Sequence, residues 1–502
     1  MKNQAYNPYL PSWEYVPDGE PHVFEDRLYV YGSHDKFNGT QFCMNDYVCW
    51  SAPLDDLSDW KMEGTIYKKE QDPHVKEDSI MQAPDVVKGY DGRYYLYYAL
   101  GLMPFVCVAV SEKPAGPFAY YGVVRREDGV AAGLGEKDVF MFDPGLFMDD
   151  DGECYLYCGF GPAEEGAMVE ACQKFRMEGA YVFRLEEDML TIKEEGGLIL
   201  PKTGYSKGTE FEGHEFFEAS SMRKIGGKYY FIYSSFPQHE LCYATSDYPD
   251  RGFRFGGVIV STGDVGYQGR KERLSYTGNT HGSLVCVKGQ WYIFYHRQTN
   301  KHNYSRQACA EAVTIAKDGS ISQVEITSCG LNGGPLAGKG SYPAYIACNL
   351  LSKTGALHYG VAGTPEAGGH PYLTQTGEDR EENGDQYIAD MRDGALAGFK
   401  YFEFVGKTKI VVEVSGHGEG VMEAWTNLDA ARGMETHGME VHGMEARGMG
   451  AARRKPICKI ALRVEGKKRT FEGEEVELQG KWPLYFVYRG SGGIDFHGFR
   501  LQ

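Results

Sequence analysis

Short apolar and aromatic runs, each introduced by a turn of glycine or charged residues, recur along the first two thirds of the chain. Five of these runs share one form, in which a turn pair precedes a stretch of β-branched and aromatic residues. They are EDRLYVYGS (25–33), DGRYYLYYA (91–99), DGECYLYCG (151–159), GGKYYFIYS (226–234) and KGQWYIFYH (288–296). This pattern is typical of a strand in a β-hairpin.

The five runs are spaced as repeats. They recur at intervals of 60 to 75 residues when they are aligned on Arg27, Arg93, Glu153, Lys228 and Gln290. Repeated strands with no convincing amphipathic helix between them predict antiparallel sheets arranged radially, with about four strands in each blade. We therefore predict an all-β chain in which residues 1–328 form a five-bladed β-propeller.

The pattern changes after the fifth run. Glycine and proline residues in SCGLNGGPLAGKGSYP predict a linker at 329–343. The later runs FKYFEFV, KIVVEVS, CKIALRV and PLYFVYRG predict a β-sandwich over 344–502. Within it, 431–455 carries a glycine every five residues among methionines and histidines, a period that fits neither helix nor strand. We predict a disordered loop there rather than a metal site.

Composition restricts the classes of binding partner and the cellular compartment that we expect for this chain. A formal net charge of −18 disfavours nucleic acid and anionic membranes, which would repel the chain, and favours a neutral ligand. Several of the twelve cysteines stand inside strand patterns and no C-x-x-C pair occurs, which favours buried free thiols over disulfides. No apolar leader or membrane-spanning stretch is seen, so we expect a cytoplasmic protein.

One ionisable side chain precedes each repeated run by 8 to 10 residues. These side chains are Asp18, Asp85, Asp143, Glu218 and His281. Because the innermost strand of each blade lines the central channel, one shared slot should direct all five towards a common point. Singly, each acid would be better explained by a turn cap or an ion pair, and only the shared offset of all five favours a common site. Glu20 competes with Asp18 for this role, since it would share the same strand face.

Carboxyl groups crowded into one pocket cannot all remain ionised. Their pKa values separate, so that one group is held as a carboxylate while another stays protonated near neutral pH. Hydrolysis of a glycosidic bond requires such a pair, one group to protonate the leaving oxygen and one to activate water or attack carbon. No serine or cysteine triad, phosphate-binding glycine loop or H-E-x-x-H zinc motif is apparent.

The segments around these acids resemble glycoside hydrolase family 43. They are PDGEPHVFEDRLYVYGS, QAPDVVKGYDGRYYLYY, FDPGLFMDDDGECYLY, FEASSMRKIGGKYYFIYSS and THGSLVCVKGQWYIFYHR, and together they span all five predicted blades. The resemblance implies a five-bladed propeller. It also implies that Asp18 is the general base, that Glu218 is the general acid, and that Asp143 orients the acid and tunes its pKa.

The same resemblance assigns supporting roles. Asp85 is expected to support the site or contact the sugar, and Arg297 is expected to contact sugar hydroxyls. His281 corresponds to an axial histidine that some members use with water or a calcium ion, so Ca²⁺ in the channel is an expected but not required cofactor. Members often carry E-G-P at the acid, whereas Ala219 and Ser220 follow Glu218 here.

The family inverts anomeric configuration. This implies that the Asp18 and Glu218 carboxyls are roughly 6.5 to 9.5 Å apart, leaving room for the attacking water, whereas about 5 Å would indicate retention. The distal domain resembles carbohydrate-binding module family 6, with Trp425, Trp482 and Tyr485 either stacking on sugar or packing in the core.

These observations predict an exo-acting β-D-xylosidase or α-L-arabinofuranosidase that acts on short oligosaccharides. Two alternatives remain open from the sequence. One is an endo-1,5-α-L-arabinanase, which would need an open groove, and the other is a non-catalytic sugar-binding propeller, which would not need carboxyls in opposite protonation states.

Overall fold

The computed structural model describes residues 4–163, 174–359, 368–380, 385–433 and 455–502. Five antiparallel sheets form in sequence order, and a larger β-domain follows them. The all-β prediction and the five-bladed propeller are confirmed. No helix in the described ranges has the length and apolar character needed to cross a bilayer.

Each blade is built from consecutive strands. Blade 1 contains β1–β4, Glu20–Phe24, Arg27–Tyr31, Tyr47–Pro53 and Lys61–Tyr67. Blade 2 contains β5–β8, Met81–Lys88, Tyr94–Leu100, Val106–Ser111 and Ala119–Val123. Blade 3 contains β9–β12, Gly145–Met148, Cys154–Gly159, Gly179–Leu185 and Ile192–Pro201.

The last two blades follow the same plan. Blade 4 contains β13–β16, Phe216–Ile225, Lys228–Ser235, Glu240–Ser246 and Arg254–Ser261. Blade 5 contains β17–β19, Leu284–Val287, Gln290–Thr299 and His302–Val313. The five repeated runs are the second strands of the blades, and each pairs with the first strand before it.

The first strands surround the axis of the propeller. β1 contacts β5 and β17, and β9 contacts β5 and β13. Side chains near the start of these strands therefore come from distant parts of the sequence to one centre. Apolar residues fill the spaces between neighbouring sheets, such as Tyr97 of blade 2 with Leu156 and Tyr181 of blade 3.

The N-terminal segment closes the ring by pairing with the last blade. The Tyr9 N–H donates to the Ala308 carbonyl at 3.2 Å, and the Ala310 N–H donates to Asn7 Oδ1 at 2.9 Å. The Asn7 N–H donates to the Ser328 carbonyl at 3.0 Å. Blade 5 has three strands of its own, and these bonds join residues that precede β1 to its outer strand, β19.

The C-terminal domain contains seven strands and one short helix, Leu428–Arg432. The strands are β20–β26, Leu336–Ala337, Gly340–Pro343, Asn349–Leu351, Tyr372–Gln375, Gln386–Met391, Leu396–Trp425 and Cys458–Leu501. β25 pairs with two stretches of β26, so that Val412 lies opposite both Phe471 and Phe499. This bending produces the predicted β-sandwich, and the four strand-like runs lie within β25 and β26.

Three sequence-based expectations concern this domain. The segment predicted as a linker, 329–343, includes β20 and β21, which pair with β25 and β26, so it is part of the C-terminal sheet. The predicted loop at 431–455 begins in the short helix, and 434–454 lies outside the described residues. Trp425 and Tyr485 are buried together in one apolar cluster, and Trp482 packs on the main core, which favours core roles over sugar stacking.

All eleven cysteines in the described part of the chain are free, and nine of them are buried. The prediction of buried free thiols is confirmed for these residues.

A buried ion cluster joins the two domains. Lys400 of β25 is 1% exposed, and its Nζ donates to Asp264 at 3.1 Å and to Glu325 at 2.9 Å. Removing one member of a buried ion pair leaves an uncompensated charge, which costs about 3–5 kcal/mol. We expect Lys400→Met to lower the free energy of unfolding by that amount, measured by urea denaturation.

The control for this variant is Lys407→Met on the same strand. Lys407 is 70% exposed and pairs with Glu475 at the surface, so its loss should leave the free energy of unfolding nearly unchanged. Equal effects of the two substitutions would show that the buried cluster does not stabilise the domain interface.

Candidate active site

A cavity of about 310 Å³ opens at the centre of the propeller and receives residues from all five blades. Its polar side chains include Asp18, Asp143, Glu218, Asn279, His281 and Arg306. Aromatic rings of Phe42, Phe142, Phe160 and Phe217 complete much of the wall. Of the five side chains predicted to converge, the structure brings four to this cavity.

Asp18 stands two residues before β1 and is held by a buried arginine. Arg306 Nη1 donates to Asp18 Oδ1 at 3.0 Å, and both side chains are nearly inaccessible to solvent. Burial alone would raise the pKa of Asp18, but the Arg306 guanidinium outweighs it and the pKa lies below the usual range. Asp18 is therefore a carboxylate near neutral pH.

The backbone of Asp18 is fixed by His296, the last residue of the fifth repeated run. The Asp18 N–H donates to His296 Nδ1 at 3.2 Å, while His296 Nε2 lies 2.8 Å from the Asn279 carbonyl. A carbonyl only accepts, so the proton resides on Nε2 and Nδ1 is free to accept. Burial and the nearby Arg306 lower the pKa of His296 to about 3, so the ring is neutral.

Arg306 is the functional residue that sequence reasoning missed. Its Nε and Nη2 donate to the two oxygens of Asp35, at 2.8 and 3.0 Å, while Nη1 reaches Asp18. A guanidinium held by a second carboxylate is a donor fixed in position beside Asp18. The sequence did contain one signal for it: Arg306 is the one arginine in β19, whose other residues are mostly small or polar. A charged side chain in a buried strand requires a partner of opposite charge, which would have pointed to a nearby acid.

Glu218 and Asp143 are the other two carboxyl groups that line the cavity. Burial and the neighbouring Asp143 raise the pKa of Glu218 well above its ordinary value. Burial also raises the pKa of Asp143, and His281 opposes that rise. Asp143 Oδ2 accepts from the Ala219 N–H at 3.2 Å, so Asp143 is bonded to the residue that directly follows Glu218.

Left-handed backbone recurs where the chain enters the cavity. Asp18, Ala83, Asp143 and Ala219 have φ values of 57°, 34°, 46° and 71°. Such values favour glycine, and an alanine there costs of order 1–3 kcal/mol unless its surroundings hold it. At Ala219, where family members often have glycine, the bond to Asp143 is one such restraint.

His281 lies between two acidic groups. Its Nδ1 is 3.5 Å from Asp143 Oδ2 and its Nε2 is 3.8 Å from Glu20 Oε1. Burial would lower the pKa of His281, but the neighbouring carboxyl groups of Asp143 and Glu20 raise it well above the ordinary value. The ring is thus an imidazolium that offsets part of the negative charge in the channel.

Asp85 does not line the cavity, contrary to the expectation that it contacts the sugar. It is fully buried, with Oδ1 2.6 Å from His22 Nε2 and Oδ2 accepting from the Leu146 N–H at 2.6 Å. Asp85 therefore ties blades 1, 2 and 3 together. A shift in register between Gln82 and Asp85 places Gln82 and Ala83 at the cavity instead.

Arg297 is likewise absent from the cavity lining among the described residues, which corrects its predicted role. Its guanidinium donates to the carbonyls of Tyr345 and Ala347, at 2.7 and 3.1 Å, and to Gln307 Oε1 at 2.8 Å. These bonds join blade 5 to the C-terminal domain. Arg306, on the next strand, is the arginine that lines the cavity and binds Asp18.

Glu20, His22 and Asp85 form a cluster of possible cation ligands outside the cavity lining. Their ligand atoms lie within 4.8 Å of one another, and the buried Glu20 Oε1 makes no hydrogen bond, although it forms an ion pair with His281 Nε2 at 3.8 Å. Glu20 and Asp85 offer the carboxylate oxygens that Ca²⁺ prefers. Its charge would offset those of Glu20 and Asp85.

The chain is similar to proteins of one known family. The profile of "Glycosyl hydrolases family 43" matches residues 16–321. A protein named xylosidase/arabinosidase from Thermoclostridium stercorarium is 46% identical over 505 residues, covering 100% of this chain and 99% of that relative. Another of the same name from Bacteroides ovatus is 33% identical over 314 residues, covering 57% of this chain and 87% of that relative.

Two solved structures share the fold. One, a family 43 arabinoxylan arabinofuranohydrolase from Bacillus subtilis in complex with cellotetraose, has a TM-score of 0.51 and 20% identity, covering 99% of this chain and 97% of that one. The other, a family 43 β-xylosidase/α-arabinofuranosidase from a compost metagenome, is a calcium-free complex with xylotriose. It has a TM-score of 0.51 and 26% identity, covering 64% of this chain and 98% of that one. This chain belongs to glycoside hydrolase family 43, which confirms the predicted enzyme class.

Proposed function

We propose that the protein is an exo-acting, inverting glycosidase that removes xylose or arabinofuranose from the ends of short oligosaccharides. The observation that carries this proposal is the opposite direction of two pKa shifts in one cavity. The pKa of Asp18 is lowered while that of Glu218 is raised. Near neutral pH the site therefore holds one carboxylate and one carboxylic acid, the pair that glycoside hydrolysis requires.

Each group then has a definite task. Asp18, as a carboxylate, takes a proton from the water that attacks the anomeric carbon. Glu218 gives its proton to the departing glycosidic oxygen, and Asp143 keeps that proton on Glu218 through its negative charge. Arg306 holds Asp18 and offers a fixed donor beside it. The separation of 6.5 to 9.5 Å between the base and the acid stays a prediction.

The substrate class rests on the size of the cavity and on the relatives. A volume of about 310 Å³ is at the lower end for ligand pockets, which suits one or two sugar rings rather than a long chain segment. The aromatic wall offers apolar surface for the faces of sugar rings. Relatives named xylosidase/arabinosidase support a pentose as the terminal sugar.

Product analysis tests this proposal. We expect xylotriose or an arabino-oligosaccharide to lose single terminal pentoses, with the freed sugar appearing first as the inverted anomer in the ¹H NMR spectrum. Internal cleavage of linear arabinan would favour the endo-arabinanase alternative. Absence of turnover on aryl glycosides of xylose, arabinofuranose and galactose, and on arabinan, would favour the non-catalytic sugar-binding alternative.

We also propose that Ca²⁺ binds at Glu20, beside His22 and Asp85. The support is the buried Glu20 Oε1, which makes no hydrogen bond, and the second carboxylate nearby, that of Asp85. Isothermal calorimetry of chelator-treated protein with Ca²⁺ should give a stoichiometric signal that Glu20→Gln reduces at least tenfold in affinity. Equal binding by both proteins would exclude this site.

We further propose that the protein works in the cytoplasm on oligosaccharides that have been taken up. The support is the set of free cysteines in the described chain, since free thiols persist in reducing compartments. Cell fractionation with an antibody against the protein would test this, and enrichment outside the cytoplasm would contradict it.

Asp143→Asn tests how the acid is tuned. The negative charge of Asp143 raises the pKa of Glu218, so its removal lowers that pKa. Glu218 acts only while protonated, and activity is lost as the pH rises through its pKa. The alkaline limb of kcat/KM should therefore move to lower pH, with kcat reduced about 10²-fold. An alkaline limb at the wild-type position would contradict the role of Asp143.

A further inference from the structure

One wall of the cavity is formed by a loop of blade 1, residues 35–45, which we call the wall loop. Phe42 and Cys43 of this loop line the cavity, and both belong to the segment between β2 and β3. The repeated pattern in the sequence does not include the wall loop. Its position must therefore be set by contacts specific to this chain.

The wall loop closes around Arg306, the partner of Asp18. Asp35 binds the Arg306 guanidinium and accepts the Cys43 N–H at 3.0 Å. Arg306 Nη2 donates to Cys43 Sγ at 3.5 Å, and the Arg306 guanidinium lies 4.7 Å from the centre of the Phe42 ring. The wall loop and the Asp18 carboxylate thus both bind Arg306. Movement of the wall loop would therefore change both the cavity wall and the position of Asp18.

The C-terminal domain fastens both ends of this loop through one side chain. Asp379 Oδ1 accepts the Phe37 N–H at 2.6 Å, and Asp379 Oδ2 accepts Asn45 Nδ2 at 3.1 Å. Asn45 Nδ2 also donates to the Asp35 carbonyl at 3.0 Å. Hydrogen bonds to an ionised acceptor are roughly twice as strong as neutral ones, so Asp379 is an effective clamp.

Hydrogen bonds to the propeller hold the chain on both sides of Asp379. Asp379 follows β23, and the side chain of Gln375, the last residue of β23, accepts a hydrogen bond from the hydroxyl of the buried Tyr15 at 2.7 Å. Arg380, the next residue after Asp379, donates to Glu14 Oε1 at 2.8 Å. The Phe37 ring of the wall loop stacks on Tyr15, with ring centres 5.6 Å apart. Asp379 is thus placed between two anchored neighbours.

We propose that Asp379 of the C-terminal domain is a positioning residue for the glycosidase reaction, holding the wall loop against the terminal sugar and so setting selectivity between xylosides and arabinofuranosides. The proposal rests on the proposed function for its substrates. Without the Asp379 carboxylate, the Phe37 N–H loses its acceptor and turns to water, and the Asn45 amide keeps only its bond to the Asp35 carbonyl. The wall loop then moves away from Arg306 and from the sugar.

Kinetics of matched variants provide the first test. For Asp379→Ala we expect KM for aryl xylosides and arabinofuranosides to rise about tenfold with kcat within about twofold, because ground-state and transition-state binding are lost together. The ratio of kcat/KM for the two substrates should change at least threefold. Asp379→Asn keeps one acceptor oxygen, so its KM and its substrate ratio should lie between those of Asp379→Ala and the wild type.

Glu378→Ala is the matched control, because Glu378 is the exposed neighbour of Asp379 and only its main-chain carbonyl bonds to Gln375. It should retain wild-type kinetics. Wild-type KM and substrate ratio in both Asp379 variants would overturn the proposal.

A second readout needs no substrate. Cys43 is 2% exposed, so its alkylation by iodoacetamide reports how often the wall loop opens. Peptide mass spectrometry should show about tenfold faster alkylation of Cys43 in Asp379→Ala, with Cys309 of β19 unchanged as the internal reference. Unchanged Cys43 alkylation would overturn the clamp. If the wild type hydrolyses none of the glycosides, the proposed function fails, while the alkylation rates still decide whether Asp379 holds the loop.

Discussion

Replacing Glu218 with glutamine is expected to reduce hydrolysis of natural oligosaccharides by about 10²–10⁴-fold, the usual contribution of a general acid. Glutamine has the same shape but cannot give a proton to the leaving oxygen. Aryl glycosides with very good leaving groups need little protonation, so their kcat should be largely retained. Steady-state kinetics on xylobiose and on 2,4-dinitrophenyl xyloside would measure both effects.

The pH profile of the same variant adds a second criterion. Glu218 has a raised pKa and must be protonated to act, so wild-type activity is lost as the pH rises through that pKa. Glutamine does not titrate, and the alkaline limb should disappear for the activated substrate. Glu212→Gln, an exposed glutamate upstream of β13, is the control. Equal loss on natural and activated substrates would contradict the assignment of Glu218 as the acid.

Replacing Asp18 with asparagine is expected to have the other large effect, a fall in kcat of at least about 10³-fold on every substrate. Water must be deprotonated whatever the leaving group, so activated aryl glycosides should not be rescued. The amide oxygen can still accept from Arg306, and Asp35 still binds the guanidinium, so the fold should be retained.

Exposed Asp26 lies in the turn between β1 and β2 and supplies the control variant Asp26→Asn, which should match the wild type. Thermal unfolding would verify that Asp18→Asn remains folded. Recovery of activity by Asp18→Asn on activated substrates alone would assign the acid role to Asp18 and contradict the base role.

Much of the propeller could be predicted because each blade repeats a local pattern. A turn followed by alternating aromatic and β-branched residues specifies a hairpin without information from the rest of the chain. Asp18, Asp143, Glu218 and His281 lie at nearly the same distance before these hairpins, and this shared distance allowed the site to be predicted. Such offsets transfer between blades as long as the strands pair in the same register.

The sequence did not predict the position of a side chain correctly where strand register or a long-range contact determines it. Asp85 stands beyond a register shift in β5, so a difference of two residues moved it from the cavity to a contact between blades. Arg297 and Arg306 lie on adjacent strands, and only tertiary contacts with Tyr345 and Asp35 show which one faces the site. Asp379 contacts Phe37 across 342 positions, a pairing without a local signal.

The bonds from Asn7 and Tyr9 to β19 bear on how the protein is made. While the ribosome is still adding blade 4, the partners of the first residues do not yet exist, and the facing sides of blades 1 and 5 cannot cover each other. A nascent chain arrested before about residue 310 would expose the apolar edge of an open ring, a surface prone to aggregation during synthesis. Synthesis of the fifth blade is therefore the step at which the ring of blades can close.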